Sequence, residues 1–194
     1  MLAPMPRRVP TAPISIFQLK VSLEDIRPPI WRRILVPSNF TLDKLHAVLQ
    51  EAMGWTNSHL HQFTLHDRRI GDPRVDEDAG PQLEDERKVH LVHLLGEGQR
   101  FVYEYDFGDG WTHELLVEKV LAPDERLQYP LCIAGARACP PEDVGGVGGY
   151  ENFLQAMRDP EHEEHDQIVT WVGGVFDPEG FDVNAVNRNL RASR

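Results

Sequence analysis

The stretch Tyr103-Glu104-Tyr105-Asp106-Phe107-Gly108-Asp109-Gly110-Trp111-Thr112-His113-Glu114 decides how this chain folds. Phe101, Tyr103, Tyr105 and Phe107 recur at every second position, the period of a strand with one buried face. Asp109-Gly110 is a two-residue turn signal, because a type I′ turn needs positive φ at both central positions. HELLVEKVL follows as the second arm, so the segment reads as a β-hairpin. A two-residue turn pairs Asp106 with His113, Phe107 with Thr112 and Tyr105 with Glu114. A carboxylate opposite an imidazole orients or charges it, as it does for catalytic and metal-binding histidines. A three-residue loop at Gly108-Asp109-Gly110 sets Phe107 opposite Trp111 and removes that pairing. The plainer reading stands beside this one: Asp and Gly are ordinary turn chemistry, and Trp111 and the tyrosines pack a core face.

Outward from the hairpin the chain alternates strands and helices. Phe17, Leu19, Val21 and Leu23 form the core face of an N-terminal strand, and Arg27-Pro28-Pro29 ends it because proline cannot donate to a ladder. IWRRILV resumes the extended pattern. In TLDKLHAVLQEAM, Leu42, Leu45, Val48, Leu49, Ala52 and Met53 make one helical stripe, with Thr41 as cap, Asp43 in the first turn and Gly54 as stop. His59 to Leu65 reads as a strand, residues 71 to 88 as an acidic loop, and VHLVHLL as a further strand. Prolines and the run Gly145 to Gly149 make 129–149 an irregular connector. A short helix spans Tyr150 to Met157, EHEEHDQIVTWV is undecided between helix and strand, and Asp182 caps a last helix carrying Val186 and Leu190. This order predicts an α+β domain rather than a parallel wound sheet.

Composition narrows the function classes. With 41% hydrophobic and 26% charged residues, the chain has the means to bury a core. Thirty-one acidic against 20 basic residues give a net charge of -11, which disfavours non-specific binding to nucleic acid or anionic membrane. The two cysteines, Cys132 and Cys139, make neither a disulfide framework nor a four-ligand zinc pattern. The N-terminus has no apolar run of signal-peptide length and no stretch reaches membrane-span length, so a cytoplasmic protein is expected.

Other constellations add to the hairpin. His59 and His61 project to one side of a strand and offer two imidazoles to a metal, although half-buried histidines beside apolar neighbours have the same pattern. His162 and His165 are three apart where a zincin helix needs four, which excludes that protease motif. The Gly145–Gly149 run lacks a following Lys-Ser/Thr and is flanked by Glu142, Asp143 and Glu151, which disfavours a phosphate. Cys139 as a nucleophile with His113 as its base is weaker still, since nothing nearby lowers the thiol pKa.

Several of these segments together resemble a known family. Trp31-Arg32-Arg33 after the double proline, the Leu42–Gly54 helix followed by Trp55, His61-Gln62-Phe63, YDFGDGWTHE, the Cys139-to-Gly146 segment with Gly149-Tyr150, and Phe176-Asp177-Pro178 resemble the plasmid pRiA4b ORF-3-like family. The resemblance runs from about residue 14 to residue 191, which would be the domain, with residues 1–13, rich in proline, as a disordered arm. It implies that His61, Asp106, Asp109, Trp111, His113, Glu114, Pro141, Glu142, Asp143 and Tyr150 meet in one cleft. It also brings a transposon-passenger, TnpR-like label that hints at a resolvase. The chain has neither a recognisable serine-recombinase pattern nor a basic helix-turn-helix tail for DNA.

The expected fold is therefore a single α+β domain, with a mixed or antiparallel, grasp-like sheet on the Leu42–Met53 helix and a C-terminal helical extension. Two functions compete. One is a binding module for a protein or small basic ligand, with a cleft of Tyr105, Asp106, Asp109, Trp111, Glu114 and Tyr150. The other is a metal-dependent hydrolase or nuclease-like enzyme with a divalent cation on His59, His61, Asp106 and His113, and with Glu142 or Asp143 activating water. A DNA-associated accessory role comes third.

Overall fold

The computed structural model describes residues 14–75 and 82–193. The expected arm at residues 1–13 lies outside them. Among the described residues, strands β1 (Ile16–Leu23), β2 (Trp31–Pro37), β3 (His61–Leu65), β4 (Arg68–Gly71), β5 (Leu83–Asp85), β6 (Arg100–Tyr105), β7 (Trp111–Leu121) and β8 (Leu131–Ala136) make one sheet. Their spatial order is β5-β4-β3-β6-β7-β1-β2-β8, antiparallel except where β4 meets β5. Helix α1 (Leu42–Met53) crosses one face, and α2 (Gly146–Arg158), α3 (His165–Val172) and α4 (Val183–Ala192) follow the last strand. The architecture is α+β with a mixed sheet and a C-terminal helical extension.

The buried face follows from strand alternation. Phe17, Leu19, Val21 and Leu23 point inward from β1, and the register sets Leu19 beside Ile34 and Phe17 beside Val36 on β2. Phe63 and Leu65 of β3, Phe101, Tyr103 and Tyr105 of β6, and Trp111, His113, Leu115 and Val117 of β7 continue that face. The stripe Leu42, Leu45, Val48, Leu49 of α1 closes over it. Each such side chain contributes roughly 1.5–3 kcal/mol by leaving water. Gly54 ends α1 in the left-handed conformation at φ 95°, its N–H on Gln50 O, as its place after the stripe predicts. Thr41 stands at the N-cap in extended conformation, but its side chain makes no cap bond. Asp182 does cap α4, accepting from the Asn184 N–H.

Arg32 is among the charged residues that lie inside. Arg32 shares the face of Ile34, and its guanidinium donates to Ala52 O at 2.8 Å and Ala136 O at 2.9 Å. Its plane covers the Phe181 ring at 4.5 Å. Gly135 is glycine for the same packing: a Cβ there would fall 2.5 Å from the ring of Phe181.

Four expectations are corrected. The supposed connector at 129–149 contains β8, an edge strand whose flanking prolines do not interrupt its single ladder with β2. The supposed loop at 71–88 contains β5 and a 3₁₀ turn at Glu86–Lys88. VHLVHLL is no strand: Leu91–His93 is a 3₁₀ turn, and Leu91 is fully buried beneath it. Helix α2 starts inside the glycine run rather than at Tyr150. The undecided segment after Glu161 contains α3. No helix among the described residues is long and apolar enough to cross a membrane.

Candidate metal centre at the hairpin tip

The hairpin register is neither of the two expected from its turn residues. Tyr105 pairs with Trp111 and Tyr103 with His113. Parity excludes the two-residue turn, though not the three-residue loop, which also sets odd against odd. The buried positions of both arms are odd-numbered, and cross-strand partners share a face, so odd must oppose odd. A two-residue turn sets odd against even and would put Tyr105 beside Glu114. The tip instead spans 106–110, closed by Gly110 N–H on Asp106 O at 2.6 Å.

Asp106 is the corner of this loop. It takes a left-handed φ of 55°, donates its N–H to Leu60 O at 2.9 Å, and uses Oδ1 to accept the Gly108 N–H at 3.0 Å. Asp is among the few residues that adopt this conformation readily. The side chain is buried, and its other oxygen, Oδ2, lies 3.6 Å from His59 Nε2.

The segment before α2 closes on the tip. Asp109 Oδ2 accepts the Gly145 N–H at 3.1 Å, and Trp55 Nε1 donates to Pro140 O at 3.1 Å. Gly146 has φ 68°, and a Cβ on it would sit 2.5 Å from the Asp109 carbonyl oxygen. Only glycine fits that approach. The glycine run is thus a packing device between loop and hairpin.

These contacts deliver Glu142 and Asp143 to His59. Glu142 Oε1 accepts from Thr56 N–H at 2.7 Å, Thr56 Oγ1 at 3.1 Å and the Tyr105 hydroxyl at 3.1 Å. Its Oε2 lies 3.9 Å from His59 Nε2. Asp143, left-handed at φ 55°, brings Oδ1 within 3.0 Å of the same nitrogen. Burial and the facing Glu142 carboxylate push the Tyr105 hydroxyl up to about 12, so it stays a proton donor at neutral pH.

His59 Nε2 therefore faces three carboxylates, yet it is buried and has no hydrogen-bond partner. Asp143 Oδ1 is near enough but off the line of a hydrogen bond. One ligand atom each from His59, Asp106 and Asp143 lie within 4.8 Å of one another. Ligands at about 2.0–2.4 Å from a common ion span no more than that. Three crowded carboxylates also repel one another, which a cation relieves. The donor set, one imidazole among hard oxygens, suits Mn²⁺, Mg²⁺ or Zn²⁺ and leaves coordination positions open.

The other expected site residues go elsewhere. His61 does not join His59 at the centre: β3 begins at His61, which hydrogen bonds Glu86 through Nε2 at 2.7 Å and stacks on His46 at 3.5 Å. His113 is fully buried, its Nδ1 on Tyr103 O at 3.1 Å, between Trp55 and Tyr103. Burial brings its pKa down to about 4. Trp111 is core. Tyr150 is buried beside Phe153 and Phe176, and burial pushes its hydroxyl up to about 12. Glu114 faces outward and pairs with Arg100. Asp109 serves the loop clasp. Burial holds the Cys139 thiol up at about 12, against a nucleophilic role.

The sequence reading missed a buried network beneath the centre. His46 Nε2 donates to Asn57 Oδ1 at 2.7 Å, so its Nδ1 accepts from the Tyr103 hydroxyl at 2.8 Å. Gln50 donates to that hydroxyl and accepts the Asn57 N–H. Burial, with His61 alongside, brings His46 down to about 3 and keeps it neutral. The signal was available: His46 and Gln50 lie four and eight residues after Leu42, on the buried ridge of α1. Glu86 had no such signal.

Comparison with known proteins places the chain in a family. The model of a family described as plasmid pRiA4b ORF-3-like protein matches residues 15–185. The chain is 42% identical over 177 residues to "Uncharacterized protein y4hQ" of Sinorhizobium fredii, covering 90% of each chain. It is similar to the crystal structure of "Protein of Unknown Function MM3350" from Methanosarcina mazei Go1, with a TM-score of 0.81 and 41% identity. That match covers 89% of this chain and 97% of the other.

Proposed function

The chain belongs to the plasmid pRiA4b ORF-3-like family, and from that premise we propose that it is a divalent-cation-dependent binding protein with its centre at the hairpin tip. The observation that carries this reading is the buried, unpartnered Nε2 of His59 facing the carboxylates of Asp106, Asp143 and Glu142. His59, Asp106 and Asp143 would hold the ion, and its open positions would take an electron-rich group of the ligand. The fixed backbone at Asp106 and the clasp from Asp109 to Gly145 keep the donors in place before the ion arrives, which lowers the cost of binding.

Metal-assisted hydrolysis is the second reading, favoured by the posture of Glu142. Thr56 and Tyr105 hold its Oε1, and Oε2, 3.3 Å from the same Tyr105 hydroxyl, faces the centre 3.9 Å from His59 Nε2. Were an ion held there, Glu142 would be placed to accept a proton from a water beside it. A role beside a transposon would require a basic surface for DNA, and the net charge of -11 argues against it. A reducing, cytoplasmic setting fits the two free cysteines.

The test is a melting series on dialysed protein with Mn²⁺, Zn²⁺ or Mg²⁺. One of these ions at 100 times its Kd is expected to stabilise the wild type by about 2.7 kcal/mol and to leave His59→Ala unshifted. A wild type that binds no divalent ion contradicts the proposal.

A further inference from the structure

Two clefts each share one residue with the centre. His59 lines one of about 560 Å³, together with Asp43, His61, Asp72 and Glu86. Asp143 lines the other, about 520 Å³, which runs between α2 and α3 past Phe153 and Ile168 to Trp171. Each has the size of a ligand site. A molecule held by an ion on His59, Asp106 and Asp143 has room on both sides, and the two sides differ in chemistry.

The first cleft is acidic with one unmet acceptor. Asp72 is answered by Arg74, and Glu86 by His61. Asp43 Oδ1 is buried and has no partner, an arrangement that costs stability until a donor arrives. The donor that fits an unpaired carboxylate is a cation. The second cleft ends on an aromatic plate: Trp171 is 49% exposed although its ring meets Phe153 edge-on at 6.1 Å. Helix α3 buries none of its residues completely, and Val175 beyond it is 98% exposed. An exposed tryptophan beside Ile168 favours an aromatic or apolar side chain.

We infer that the ligand is an extended peptide segment crossing the centre, with a basic side chain reaching Asp43 and an aromatic one lying on Trp171. Its backbone carbonyl between them meets the cation. This rests on the proposed metal centre and adds the ligand's class. The carboxylates along both clefts disfavour a nucleotide, whose phosphates they would repel. A peptide with net positive charge gains from the same field.

The experiment uses Mn²⁺-loaded protein and two synthetic peptides, acetyl-Phe-Gly-Gly-Gly-Lys-amide and its reverse, followed by calorimetry. Bound Mn²⁺ is counted by electron paramagnetic resonance in the same samples. One peptide is expected to bind. Asp43→Asn is expected to weaken it about tenfold, but not the same peptide with norleucine for lysine. Trp171→Ala is expected to weaken it about fivefold, but not the version with alanine for phenylalanine. The peptide differences on one variant separate recognition from misfolding. Mn²⁺ bound with no heat from either peptide, or equal affinities across the variants, overturns the peptide assignment and leaves the metal centre standing. Protein that fails to retain Mn²⁺ overturns the centre, and this inference with it.

Discussion

Two histidines in this molecule present the same oddity in different surroundings. His113 and His59 each have a buried Nε2 without a hydrogen-bond partner. Around His113 stand Trp55, Tyr103 and a backbone carbonyl on Nδ1, with no carboxylate paired to it among the described residues. Around His59 stand Asp106, Glu142 and Asp143, all within 4 Å. An unpaired imidazole nitrogen is thus not itself a mark of function. In the first case it is the cost of placing histidine in an aromatic core; in the second it faces the three carboxylates on which the proposed metal centre rests.

The largest expected effect opens the closed end. Trp111→Ala removes a fully buried ring beside Trp55, and a loss of about 3–5 kcal/mol is expected in urea unfolding. Next comes pH. Burial holds His113 at about 4 in the folded state against an ordinary 6.5, so the unfolded chain takes up the proton first as pH falls. Its contribution is whole above pH 6.5 and is lost between there and pH 4, up to about 3 kcal/mol. His113→Leu is expected to flatten the loss of urea midpoint over that window. Some slope should persist, because His46 is depressed to about 3 by burial as well. An unchanged acid profile would put His113 among titrating surface groups.

Effects at the open end are smaller in stability and larger in binding. Gly146→Ala places a Cβ 2.5 Å from the Asp109 carbonyl at a left-handed φ. It is expected to cost about 1–3 kcal/mol and to weaken Mn²⁺ binding by loosening the clasp. Tyr105→Phe removes the donor to Glu142 and the acceptor of the Ser58 N–H. A loss of about 1 kcal/mol is expected, with affinity for the ion reduced severalfold. Unaltered metal titrations in both variants would mean that the centre does not depend on its supports.

The sequence shows the first of these regions better than the second. The α1 stripe, the alternation in β1 and the arms of the hairpin follow from period alone, and Gly54 marks the helix stop. The parity of the register was legible, since Phe101, Tyr103 and Tyr105 must share a face with Trp111 and Leu115, but not the two further residues that the tip takes up. The Asp-Gly turn preference pointed the other way, and core packing overrode it. Asp106 therefore lost His113 and gained His59. β8 escaped notice because an edge strand between prolines has a short, weak pattern. The approach of Glu142 and Asp143 to His59 spans more than eighty residues of chain and depends on Gly146 meeting Asp109, which no local period encodes. Glu86 beneath His61 is equally non-local.

The most direct test loads wild type, His59→Ala and His113→Leu with Mn²⁺ and records the electron spin echo for coupling to histidine nitrogen. Coupling to one ¹⁴N is expected in wild type and His113→Leu, and none in His59→Ala. Coupling that survives His59→Ala, or that disappears with His113→Leu, would contradict the assignment of the open imidazole as the ligand.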